Sequence, residues 1–180
     1  MRLRLALKKT ARPTLFGPVS HAIGKRLDHG PYSHVELILP NGLSASAVMG
    51  EGVRIKAIGY SGGIEAWDFY ELPGALGARA HRWFADHAGE GYDYGAMVRF
   101  WWGVVAEERG RWTCCEAVGA SLGWSRPWPY SPSGLLARAV DHYAARKVAG
   151  PWPDDMERMS PALRHLIGSG QAALSDWGRL

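Results

Sequence analysis

The stretch Trp112-Thr113-Cys114-Cys115-Glu116-Ala117-Val118-Gly119-Ala120-Ser121-Leu122 holds the only two cysteines of the chain, side by side. Thr113 followed three residues later by Glu116 has the spacing of a capping box, so a helix is predicted to start here. Ala117, Val118, Ala120, Ser121 and Leu122 continue it as a helix of mostly small residues, able to pack closely in a core. Cys114 and Cys115 then fall in its first turn. Backbone N–H groups there lack intrahelical partners, and the helix dipole favours a thiolate over a thiol. The same N–H groups can hold an oxyanion. The stretch reads either as a nucleophile at a helix start or as two buried cysteines acting as small apolar residues. A partner base decides between the two.

The chain has 180 residues, the size of one domain with a short appendage. At 47% apolar it can bury a sizeable core, and its nine Trp and seven Tyr suggest aromatic-lined grooves or an interface. The net charge of +4 is scattered, with no basic run beyond Lys8-Lys9, so a nucleic-acid partner is not expected. No window approaches ~18 uninterrupted apolar residues, so no transmembrane helix is expected. The N-terminus alternates polar and apolar residues and lacks the apolar run of a secretory signal. Cytoplasmic synthesis and reduced thiols are the expectation.

Outward from the cysteines, residues 2–8 alternate like a half-buried strand. Residues 18–28 can form a short helix led by Pro18. Residues 32–39, 43–49, 53–58 and 66–72 read as four successive antiparallel strands, separated by turns at Pro40-Asn41-Gly42, Gly50-Glu51-Gly52 and the glycine-rich 59–63. That last loop lacks the Lys-Ser/Thr of a P-loop. Helices are predicted over 75–88, over 96–106 and over 133–147, the last capped by Ser133. The segment 124–132, rich in Pro and aromatics, cannot be a regular helix. The domain is expected to span 1–149, with a Pro-rich linker and C-terminal tail over 150–180.

Seven histidines are available as a base. His21, His29, His81, His142 and His165 fall in or at the ends of helices, where solvent exposure is the default, and His87 lies on a helix stripe. His34 differs. It opens the most apolar strand, beside Ser33, and period 2 puts Glu36 on its face. An ionisable pair on an otherwise Val/Leu/Ile strand must meet a polar site or bear the cost of burial. A histidine near solvent on an edge strand is the plainer alternative.

Gly30-Pro31-Tyr32-Ser33-His34-Val35-Glu36-Leu37-Ile38, then Gly52-Val53, Tyr92-Asp93 and Trp112-Thr113-Cys114-Cys115-Glu116, together resemble the circularly permuted branch of the NlpC-type papain-fold cysteine hydrolases, which includes the lecithin–retinol acyltransferase-like proteins. The resemblance covers about residues 16–140. It implies an α+β, permuted papain-like fold: an antiparallel sheet of about four to six strands packed against a cysteine-bearing helix. It implies Cys114 as nucleophile and His34 as base. Cys115 stands where the family usually has Ser, and Glu116 matches the family's Glu. The third polar residue of the family falls in Ser44-Ala45-Ser46, which leaves Ser46 or Glu36 to orient the histidine. Tyr92 matches an aromatic near the family's site, although a turn tyrosine packed on the core reads equally well. Ser33, Trp112 and Cys115 complete the candidate substrate-binding set.

The chemistry implied is acyl transfer through a thioester, with an amide or peptide bond as the target. Peptidoglycan stem peptides are the usual substrate class of the family. No residues stand at metal-ligand spacing, and no cofactor is expected. Phage encoding, and virion or tail-protein partners reached through the C-terminal tail, suit the size and tryptophan content. A non-catalytic structural or binding module of such an assembly is the alternative. A lipid acyl hydrolase or acyltransferase is a further one, since Phe100-Trp101-Trp102 and the tryptophans at 124–130 suit a glycan groove or an acyl pocket.

Overall fold

A computed structural model describes residues 2–10, 30–60, 62–96, 110–125 and 130–149. The helix expected over 18–28, nearly all of that over 96–106, part of 124–132 and the linker and tail lie outside these residues.

The described chain is α+β. Its strands are β1 (Leu3–Lys9), β2 (Tyr32–Ile38), β3 (Leu43–Val48), β4 (Gly52–Ala57), β5 (Trp67–Leu72), β6 (Gly91–Tyr92), β7 (Arg111–Trp112) and β8 (Arg146–Val148). Its helices are α1 (Gly77–Asp86), α2 (Cys114–Ser121) and α3 (Pro132–Tyr143). Six strands make one antiparallel sheet in the order β4-β3-β2-β1-β5-β8. The short β6 and β7 pair parallel to one another.

β1 lies inside the sheet, with β2 on one side and β5 on the other. Leu3, Leu5 and Leu7 join the main core with Val35, Leu37 and Phe84. The alternation of β1 predicts one solvated face, but both faces are covered. Ala6 belongs to a second apolar cluster with Ile38, Ile58, Trp67 and Phe69, and Arg4 beside it is only 6% exposed.

The four successive strands also need correction. β2, β3 and β4 form a meander, but β5 pairs with β1 rather than with β4. Gly62 and Gly63, both at positive φ, and a 3-10 turn at Ile64–Ala66 lead into β5. There Trp67 and Phe69 extend the apolar cluster beside Ala6.

α2 packs on α1, β2 and β3, and α3 packs on β2 and α2. The cap of α3 is Ser131, not Ser133: its Oγ accepts from the Gly134 N–H at 3.2 Å. Pro132 takes the first helical position, where its missing N–H has no bond to lose. The helix stops at Tyr143 because Ala144 turns left-handed, φ 52°. Arg146 and Lys147, expected as the end of that helix, instead join Val148 in the edge strand beside β5.

Candidate active site

The capping box forms as its spacing predicts. Thr113 Oγ1 accepts from the Glu116 N–H at 3.2 Å, and Glu116 Oε2 accepts from the Thr113 N–H at 2.7 Å. Cys114 and Cys115 therefore occupy the first two helical positions. The chain arrives there along β7, whose Trp112 carbonyl accepts from the Asp93 N–H. A second tie secures the same region: Val53 N–H donates to the Glu90 carbonyl at 2.8 Å, and Gly89 N–H to the Val53 carbonyl at 2.9 Å. Gly52, at φ 72°, makes that approach possible, since a Cβ there would collide with the Glu90 carbonyl.

A parting of two strands brings the helix start to the histidine. β2 pairs with β1 back to Tyr32, but with β3 only at Leu37 and Ile38. Toward the His34 end the ladder is open. Ser46 Oγ donates to the Val35 carbonyl at 2.8 Å, and the Val35 backbone lies close enough to favour the Cys114 thiolate. Cys114 thus meets β2 where β3 leaves it, with the His34 side chain as its neighbour.

His34 Nε2 stands 3.2 Å from Glu36 Oε1, with its ring edge-on to Trp67 at 6.2 Å between centroids. The His34 side chain is 21% exposed and that of Glu36 8%, so the imidazole is reachable while the carboxylate behind it is sealed. Ser44 Oγ donates a short hydrogen bond to Glu36 Oε2. Arg54 Nη2 lies 3.2 Å from Glu36 Oε1.

These contacts set the charges. The hydrogen bond with the Cys115 thiol, 3.9 Å away sulfur to sulfur, is the main influence holding Cys114 well below the usual thiol range. Burial opposes this, while His34 and the Val35 backbone reinforce it. For His34, burial disfavours the imidazolium, but Cys114 and then Glu36 outweigh it and push the ring up to about 9. Burial likewise works against the Glu36 carboxylate, and His34, Ser44 and Arg54 together bring it down to about 2. Burial, followed by the electrostatic influence of the two neighbouring cysteines, lifts the Tyr92 phenol well above its ordinary range, so it keeps its proton. These shifts favour one charge pattern, a thiolate on Cys114, an imidazolium on His34 and a carboxylate on Glu36, with the Tyr92 phenol keeping its proton.

Of the candidate residues, Cys114, His34, Glu36, Cys115 and Tyr92 come together. Ser46 does not reach the imidazole; it fills the gap between β2 and β3 through the Val35 carbonyl. Ser33 is exposed. Trp112 turns aside: its indole N–H donates to Glu90, and its ring packs edge-on against Trp83 and His87. His87 caps the end of α1, its Nδ1–H donating to the Trp83 carbonyl at 2.8 Å. Ser44 and Arg54 were not legible as site residues. They lie on β3 and β4, and only the strand register places them at Glu36.

Comparison of the chain with models of known families, with characterised proteins and with solved structures returns no match. Among the described residues, no helix is long and apolar enough to cross a membrane.

Proposed function

We propose that this chain is a cysteine hydrolase that cleaves an amide or peptide bond through a thioester, built on a permuted papain-like fold. One observation carries the reading: a cysteine from late in the chain and a histidine from early in it meet at a helix start, with a buried carboxylate behind the histidine. That chain order is the one the resemblance to the permuted NlpC-type hydrolases implies.

In the reaction, Cys114 Sγ attacks the carbonyl carbon of the substrate. The N–H groups of the first turn of α2 and the protonated Tyr92 phenol are the donors at hand for the oxyanion. His34, already protonated, gives its proton to the leaving amine. The neutral imidazole then takes a proton from water, which attacks the thioester and releases the acid and the Cys114 thiolate. Glu36 holds Nε2 of His34 and balances its charge throughout.

Peptidoglycan stem peptides are the substrate class proposed, on the strength of the resemblance. The test is cleavage of muropeptides, followed by mass spectrometry, with simple lipid esters run in parallel. Cys114→Ala and His34→Ala should each lose about 10³-fold or more in rate. Cleavage that survives Cys114→Ala sinks the reading, and cleavage of the esters alone moves the target bond to a lipid.

A further inference from the structure

We propose that Arg54 is a positioning residue that sets how firmly Glu36 holds His34, because the guanidinium and the imidazole share one carboxylate oxygen. The inference rests on the catalytic reading of His34.

Both Arg54 Nη2 and His34 Nε2 stand 3.2 Å from Glu36 Oε1. The two cations are therefore no further apart than twice that distance. The other oxygen, Oε2, is occupied by Ser44. Arginine stays charged at every accessible pH, so its claim on Oε1 never lapses. The share it takes is withheld from the imidazolium.

Arg54 is itself held from behind. Its Nε lies 2.8 Å from Glu51 Oε2, and Lys56 Nζ lies 3.4 Å from the same oxygen. Charges thus alternate in sign from solvent to sulfur: Lys56, Glu51, Arg54, Glu36, His34, Cys114. The outer end is open, with Glu51 49% exposed, while Arg54 is 10% exposed. Weakening Glu51 therefore frees Arg54 to draw harder on Glu36, and removing Arg54 returns the whole of Oε1 to His34.

Other charged or titratable groups face this line. Lys8 is paired with His34 across β1. The Tyr60 phenol lies between the influence of Glu36 and that of Arg4, and Tyr92, Asp93, Cys115 and Glu116 lie on the thiol side. All are unchanged in the variants below, so their contributions cancel in the comparison.

The test is an NMR titration of the His34 imidazole in the full chain, assigned by its loss in His34→Asn. In Arg54→Met the His34 midpoint should rise by about one pH unit. Arg54→Lys, which keeps the charge without the fork, should fall between wild type and Arg54→Met. Glu51→Gln should move the midpoint the opposite way, down by a few tenths, because Glu51 is half exposed. In a Glu36→Gln background the Arg54→Met shift should shrink to less than half. A midpoint that does not rise in Arg54→Met, or that rises equally without the Glu36 carboxylate, overturns the proposal. If Arg54→Met does not fold, Glu51→Gln carries the test, and a midpoint that fails to fall there overturns it. Iodoacetamide reactivity of Cys114 in the same samples separates the two readings. An ordinary thiol beside a His34 that responds as described removes the catalytic reading and leaves the role of Arg54.

Discussion

Two adjacent cysteines at a helix start point about 100° apart, so only one can face His34. The structure turns Cys114 to the histidine and leaves the Cys115 thiol within hydrogen-bond reach of its sulfur. Cys115→Ala should therefore raise the alkylation midpoint of Cys114, and Cys115→Ser, which keeps a donor, should raise it less; the pH dependence of iodoacetamide labelling reads both. Glu36 makes a second prediction. Its carboxyl is held at about 2 in the folded chain against an ordinary 4.5. A depressed folded value contributes stability that is present above about 4.5 and lost as pH falls toward 2, by about 3 kcal/mol. His34 has the opposite sign: held at about 9, it contributes stability that is full below about 6.5 and lost as pH rises through 9. Urea unfolding across pH should show the acid loss in wild type and much less of it in Glu36→Gln.

At the scale of elements, the site depends on how α2 starts and on what β3 gives up. Thr113→Ala removes one half of the capping box and should lower stability by about 1 kcal/mol in thermal or urea unfolding. It should also slow Cys114 alkylation, since the sulfur sits on the turn that frays. Gly52→Ala drives a Cβ into the Glu90 carbonyl from a positive φ. It should cost more than the ~1 kcal/mol ordinarily associated with a glycine replacement. Local chemistry made α2 readable, because a capping box lies within four residues of sequence. The His34–Glu36 pair was readable for the same reason, being two residues apart on one strand. The position of β5, the parting of β2 from β3 and the approach of Ser44 and Arg54 to Glu36 were not. Each depends on pairing between distant segments, and strand register carries no local mark. Ser46, which the resemblance offers beside Glu36 as an orienter of His34, gives its hydroxyl to a backbone carbonyl at the open ladder. Ser133 lost the cap of α3 to Ser131 because Pro132 can only enter a helix at its start.

Across the whole molecule, the sheet is covered on both faces, and each face has its own aromatic anchor. Phe84 of α1 fills the main core, and Phe69 of β5 fills the cluster behind it. Truncating either to Ala should cost about 3–5 kcal/mol, whereas a sheet with one solvated face would tolerate Phe69→Ala. The two faces also serve the site differently. The helix face delivers the sulfur, and Glu36, Ser44 and Arg54 secure the base. The gap inside the sheet where β2 and β3 part joins the two sides. The most direct test of this account is the rate of Cys114 alkylation against pH, in wild type and in His34→Ala. The account predicts a thiol that reacts fast near pH 6 and loses that reactivity when His34 is removed. Two thiols that titrate near the free value of about 8.5 with or without His34 would contradict it.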